Sequence, residues 1–373
     1  MMYKKISHNL TRNLSNILGK KVKNKIVVIE SDDWGSIRMP SKDAYNKLLS
    51  LGYSVDTNFF TKFDGLESKP DLDRLFDLLI GVKDHKGNNP VITALSIMAN
   101  PDFNKIKEYD FNEYYYEPFY KTSDRYDGSD LLKSWKEGNR FKVFEPQFHG
   151  REHLNVKRWM EGLQRNFKTT KLTFDLELTG LQANIANEDR GDYQAAFDID
   201  KIEDVLALKT ILRDGISMFK DVLGYQPLYF CPTNGPFNNV LEIDLKSLGI
   251  EFINTAKIQK EPLGDGKIKN NYRLLGQIGP NGLRYLTRNV VFEPSNSSRV
   301  DWVDLALNDI SIAFKWNKPA IISSHRVNYV SRIEISNRDN GLKKLSLLLN
   351  RIIEKWPDVE FMSSSELGKK LVE

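Results

Sequence analysis

Disulfides cannot shape this chain, because its 373 residues contain a single cysteine, Cys231. That residue also lacks the partner of a Cys-x-x-Cys redox motif, so a small packed side chain is its expected role. Long apolar runs are missing as well, and the mean hydropathy is negative, which argues against multiple membrane spans. No apolar stretch ending in a small-residue cleavage site opens the sequence, so a standard signal peptide is not expected and a cytoplasmic enzyme is. An excess of one charge is confined to one place. Residues 1–24 hold Lys4, Lys5, Arg12, Lys20, Lys21 and Lys23 and no acid; taking those six from 54 basic residues leaves 48 against 50 acidic ones. A body so nearly neutral lacks the basic face of a nucleic-acid binder, and no such partner is expected.

What remains is an ordinary globular composition, 40% hydrophobic and 28% charged, in a length that suits a barrel with loop insertions. Strand-like runs alternate with helical patterns, as a parallel barrel requires. The runs are KIVVIES, PVITALSIM, KVFEPQFHG, KLTFDLEL, PLYFCP, EFINTA, LRYLTRNVVF and PAIISSH; helices are expected at 155–167, 201–223, 239–248, 301–316 and 339–356. The spacing predicts one domain over 25–373, with insertions near 50–90 and 100–142. Before it, Ile6, Leu10, Leu14 and Ile17 recur at helical spacing and Gly19 fits a helix stop, so residues 1–24 read as a basic amphipathic helix. Packing beneath the barrel is its favoured role, and peripheral contact with an anionic membrane is the alternative.

Histidine is scarce, and its placement is informative. Three of the five histidines lie at predicted strand ends: His149 and His153 in FEPQFHGREHLN and His325 in AIISSHRVNY. Asp32 and Asp33 follow the run Lys25–Glu30, at the carboxyl end of a strand where α/β barrels gather their chemistry. One carboxylate of such a pair can hold a divalent cation while its neighbour acts as a base. A spacing of four brings His149 and His153 to one side of a helix or turn, which suits chelation. Each feature alone has a blander reading: a solvated Asp-Asp loop, a pair of surface histidines, or a core histidine. The zinc-protease pattern His-Glu-x-x-His is excluded, because Glu152 stands in the wrong place.

The order of Asp32-Asp33, His149-x-x-x-His153, an aromatic-x-Pro-x-x-Gly segment around Cys231–Gly235 and a late strand ending in His325 resembles the NodB-type polysaccharide deacetylase superfamily. The closing VEFMSSSELGKKL extends the resemblance to the C-terminus. It implies an α/β fold, a NodB-like distorted (β/α) barrel of seven strands. It also implies Asp32 as catalytic base, Asp33, His149 and His153 as metal ligands, and His325 as the acid that protonates the leaving amine. Nitrogen and oxygen ligands with an open position point to Zn²⁺, with Co²⁺, Ni²⁺ or Fe²⁺ as alternatives. The expected activity is removal of an acetyl group from an N- or O-acetylated sugar or glycan.

Two family positions are altered. Cys231 replaces the arginine that contacts the base, and EFINTAKIQ lacks the Asp and Trp that tune the acid histidine; Asn254, Arg288 and Arg326 are candidate substitutes. Trp34, Asn234, Arg326, Tyr116 and Arg190 are the candidate carbohydrate contacts, the tyrosine from an aromatic-rich stretch at 114–126 and Arg190 from the loop NEDRGDY. Rival readings are a hydrolase of another amide, a glycosidase using Glu145 and Asp175, and a noncatalytic glycan-binding protein.

Overall fold

The computed structural model describes residues 2–128, 130–186 and 193–372. Its main sheet contains β1 (Ile26–Trp34), β2 (Ile92–Ile97), β3 (Phe144–Gly150), β4 (Tyr229–Phe230), β5 (Phe252–Asn254), β6 (Arg284–Leu286), β7 (Val290–Val291), β8 (Ala320–His325) and β9 (Glu360–Phe361). All pairings in it are parallel, in the order β6-β5-β4-β3-β2-β1-β8-β7, with β9 added alongside β1. Strand β1 is buried along its whole length, as expected for a parallel strand covered on both faces.

Eight strands therefore stand in line, where the sequence led us to expect seven. The two edge strands, β6 and β7, are joined by only Thr287, Arg288 and Asn289. That link spans at most about 14 Å, so the sheet must curl until its edges nearly meet. The barrel is nonetheless open, with no ladder between β6 and β7 among the described residues.

Seven of the eight expected strand runs supply strands. LRYLTRNVVF divides into β6 and β7, and KLTFDLEL forms no strand, its first five residues closing the helix Lys168–Asp175. Leu172, Phe174, Leu176 and Leu178 alternate as in a strand, but Thr169, Thr170, Thr173 and Phe174 bury a helical face. Phe174 packs there against Phe103, Phe111 and Trp159, so tertiary packing overrides the local period. The five expected helices are present as Val156–Gln164, Asp204–Leu223, Leu241–Ser247, Trp302–Lys315 and Ile335–Lys355. The stretches 50–90 and 100–142 contain the helices Lys69–Ile80 and Leu131–Arg140, whose apolar faces join the main core.

The N-terminal helix, Met2–Ile17, forms as expected, but it faces the other way. Its polar side lies on the helix Trp302–Lys315 while Leu10 and Leu14 point outward, so it does not pack its apolar stripe beneath the barrel. No helix among the described residues is long and apolar enough to cross a membrane.

Candidate metal centre

Adjacent residues of a strand point to opposite faces, so Asp32 and Asp33 could not ordinarily share one site. A break in the β1–β2 register between Ser31 and Trp34 solves this, and Asp33 adopts a left-handed φ of 80° within it. The irregularity turns both carboxylates into one cleft, a known use of bulges at strand ends. Such a φ in a residue with a side chain is unfavourable and persists where the surroundings enforce it.

Asp33 Oδ1 lies 3.0 Å from His153 Nε2 and 3.6 Å from His149 Nε2. One donor atom from each of the three buried residues falls within 4.8 Å of the others. His149 comes from the end of β3 and His153 from the following bend, so a turn rather than a helix converges the pair. The imidazole Nδ1 of His149 donates to the carbonyl of Cys231 at 2.7 Å, which fixes the ring with Nε2 toward the cluster. Burial and the nearby Arg38 push the His153 imidazole down to about 4 against the pull of Asp33, so it is neutral at physiological pH. Burial raises the Asp33 carboxyl, but Arg38, His153 and His149 outweigh it and hold the group well below the usual range. One carboxylate oxygen and two imidazole nitrogens form a donor set that fits Zn²⁺.

Asp32 occupies a separate electrostatic environment. Arg288 clamps it with two hydrogen bonds, Nη1 to Oδ2 at 2.9 Å and Nη2 to Oδ1 at 2.5 Å. Burial again raises the carboxyl and Arg288 and His325 lower it, with a net downward shift. The clamp is itself aimed from below: Arg288 Nε donates to Glu30 at 2.6 Å, and Glu30 also accepts from Tyr229, Asn254 and Ser364. Arg288 thus makes the contact to Asp32 that Cys231 cannot. The Cys231 thiol lies 3.8 Å from the same guanidinium, and burial pushes it well above its ordinary range, so it stays a neutral packing group.

His325 completes the arrangement at the end of β8, with Nε2 3.7 Å from Asp32 Oδ2. Its Nδ1 meets Glu293 at 2.6 Å, and Asn328 holds the other oxygen of Glu293 at 2.7 Å. Burial lowers the imidazole, but Glu293 and Asp32 overcome it and raise His325 to about 9. None of the three anticipated substitutes supports this histidine: Asn254 bonds Glu30, Arg288 bonds Asp32, and Arg326 is elsewhere. Glu293 does so instead, from the end of the short strand β7.

The five residues open into a cleft of about 420 Å³, a size suited to a small ligand. Its walls include Phe60, Thr61 and residues 178–182, and Asn58 Nδ2 links the two walls by donating to Gln182 at 3.0 Å. Asn234 lines the cleft. Trp34 does not: it is buried beneath the loop, with its indole N–H on Ser31 and its ring against Phe144. Arg326 is fully buried, and its guanidinium is taken up by Asp64, Glu67 and the carbonyl of Ser36, leaving nothing for a ligand. Tyr116 is outside the cleft, stacked near Tyr114 and covered by Arg151 at 4.1 Å. Arg190 lies outside the described residues. Glu145 is at the opposite end of β3 bonded to Ser365, and Asp175 is an exposed helix residue, so neither glycosidase candidate reaches the cleft.

Sequence reasoning also missed Arg38. Its Nη2 donates to Asp33 Oδ2 at 3.0 Å and lies 3.5 Å from His153 Nε2, placing a cation against two of the three donor residues. The spacing of five from Asp33, across a turn, gave no periodic signal for it.

No protein-family model and no curated protein matches the sequence. Among solved structures, the chain is similar to a protein assigned as a polysaccharide deacetylase from Mycobacterium smegmatis, at 11% identity and a TM-score of 0.45 over 96% of this chain and 93% of that one. It is similar to one from Parabacteroides distasonis assigned as a glycoside hydrolase or deacetylase, at 10% identity and a TM-score of 0.47 over 94% and 71%. Puue allantoinase matches at 9% identity and a TM-score of 0.45 over 92% and 89%. Likenesses at this level carry no information about chemistry, which rests on the site itself.

Proposed function

We propose that this chain is a divergent member of the NodB-type polysaccharide deacetylase superfamily, a metal-dependent hydrolase that removes an acetyl group from an acetylated sugar or glycan. One observation carries the reading. Beside a three-residue donor set, Asp32 is held ionised by Arg288 and His325 is held protonated by Glu293, so base and acid stand ready in opposite protonation states at neutral pH. Asp33, His149 and His153 would hold Zn²⁺, which when bound supplies polarisation of the acyl carbonyl and a more acidic water.

The chain's own residues then divide the proton transfers. Asp32 takes the proton of the attacking water as the new C–O bond forms. His325 delivers a proton to the departing nitrogen as the C–N bond breaks, giving acetate and a free amine. For an O-acetyl substrate the same two residues would release an alcohol. Their 3.7 Å separation exceeds a hydrogen bond, so neither group is locked to the other.

The test is metal content together with acetate release from a panel of acetylated saccharides. Wild type is expected to hold about one metal ion per chain, and His149→Ala/His153→Ala to lose it along with acetate release. Full metal retention in the double variant would sink the site. Metal without acetate release across the panel would turn the assignment toward another amide bond or a glycan-binding role.

A further inference from the structure

The first helix presents its apolar side to solvent. Its polar side is fastened to the body by specific bonds: His8 and Arg12 to the two oxygens of Asp309 at 2.7 and 3.0 Å, Asn9 and Asn13 to Asn308 and Trp316 at 2.9 Å each, and Asn16 to Asn289 at 3.0 Å. The helix is therefore held in one rotational setting. On the far side Ile6, Leu10, Leu14, Ile17 and Leu18 are 40–64% exposed and, at spacings of three and four, line up as one stripe. A continuous apolar stripe with polar bonds fixing it outward marks an interaction surface.

The charges around it indicate what covers it. The first 24 residues contain six bases and no acid; Lys21 and Lys23 are exposed just past the helix, and Lys4 and Lys5 stand at its start in the sequence. A second copy of the chain fits poorly. Sixteen residues make a helix about 24 Å long, so the stripe offers roughly 240 Å² where a stable dimer needs about 800 Å² per partner. Pairing two such helices would also bring two basic sets together. An anionic bilayer meets both features, taking the apolar side chains at the acyl boundary and the lysines at its headgroups.

We propose that the helix Met2–Ile17 docks the protein on anionic lipid surfaces, lying in the interfacial plane with Leu10 and Leu14 inserted and Lys21 and Lys23 on the headgroups. This inference is independent of the hydrolytic reading, since no residue of the cleft takes part.

Co-sedimentation of the full chain with vesicles of phosphatidylcholine, with and without phosphatidylglycerol, tests it. Wild type is expected to bind only the anionic vesicles, and less as salt rises. Leu10→Asp/Leu14→Asp should weaken binding by more than about tenfold. Lys21→Gln/Lys23→Gln should weaken it by about thirtyfold. All four side chains are exposed, so circular dichroism and the thermal midpoint should match wild type in both variants. Absence of wild-type binding to anionic vesicles, or binding indifferent to either variant, would overturn the proposal. So would a dimer in light scattering that Leu10→Asp/Leu14→Asp dissolves, because the stripe would then belong to a second copy.

Discussion

The two halves of the cleft are built on different plans. On the donor side, Asp33, His149 and His153 converge on one another, and two come from a five-residue stretch of chain. On the proton-transfer side, Asp32 and His325 barely touch, and each depends on a partner remote in sequence, Arg288 or Glu293. A chelating cluster is specified by its own members. An acid–base pair is specified by whatever shifts each proton affinity, and those groups can come from any element that reaches the site.

The comparison predicts its largest effect at Asp32. Asp32→Asn leaves all three donors in place, so metal content should remain near wild type while turnover falls by about 10³. Unchanged turnover would remove Asp32 as base and leave the donor side standing alone. Loss of metal would show that the two halves are not separable.

Arg288 comes next. Replacing it with Met withdraws the clamp from Asp32 and leaves Glu30 buried without its cation, so a fall in turnover of about 10² is expected, with some loss of stability. The sharper reading is the pH profile: without Arg288 the Asp32 carboxyl rises, so the acidic limb of activity should move to higher pH. Arg288→Lys should restore little, because an ammonium cannot reproduce the two-bond fork. An acidic limb that stays in place would mean that Arg288 supports packing and not the base.

These dependences explain what could be read before the structure was known. The β1 motif, the paired histidines and the strand ending in His325 were legible because each sits in a short apolar run with its chemistry at the end. Glu293, and the contact to the base made by Arg288, in the sequence only one of three candidate substitutes, were obscured by the run LRYLTRNVVF, which reads as one strand. It is the break in that run, where the curled sheet brings its edges together, that puts Arg288 opposite Asp32 and Glu293 behind His325. Carbohydrate contacts were the least legible. Aromatic content at 114–126 signals a packed cluster as readily as a sugar platform, and here Tyr114 meets Trp159 edge-on while Phe119 stacks on Trp135. The actual walls, at Phe60 and residues 178–182, belong to a short helix and to the irregular segment that follows the strand-like run ending at Leu178.

Glu293→Gln should act more gently than either change at Asp32 or its clamp. His325 is held at about 9 chiefly by this carboxylate against burial, so the neutral amide should drop its pKa below that value. Because the folded pKa lies above the unfolded value of about 6.5, protonated His325 contributes stability that is fully present below that value. That contribution disappears as pH rises through 9. In metal-free protein, NMR titration of His325 and thermal unfolding across this window should both show the change, with the variant losing the high-pH step. Turnover at neutral pH should fall about tenfold as the acid becomes partly deprotonated. A His325 titration that stays near 9 would assign the shift to Asp32, and the two sides of the proton transfer would then be one coupled pair.

Arg38 offers the smallest effect and the most direct comparison between the halves, because among the described residues it is the strong cation set against the donors. Arg288 aids its carboxylate by keeping it ionised. Arg38 likewise lowers the Asp33 carboxyl, but it also places Nη2 within 3.5 Å of His153 Nε2, the atom whose lone pair a metal would need. Its Nε lies 3.6 Å from Asp64 Oδ2, and neither atom has a hydrogen-bond partner among the described residues, so the guanidinium has a carboxylate to lean toward when a metal displaces it. Arg38→Met should therefore tighten Zn²⁺ binding several-fold in a competition with a chromophoric chelator, since like charge is removed from the site. Second-sphere partners that orient a ligand act in the opposite direction, and their loss weakens the metal by about 10–100-fold. Weaker binding in the variant would place Arg38 in that class, and both halves of the cleft would then depend on an arginine in the same way.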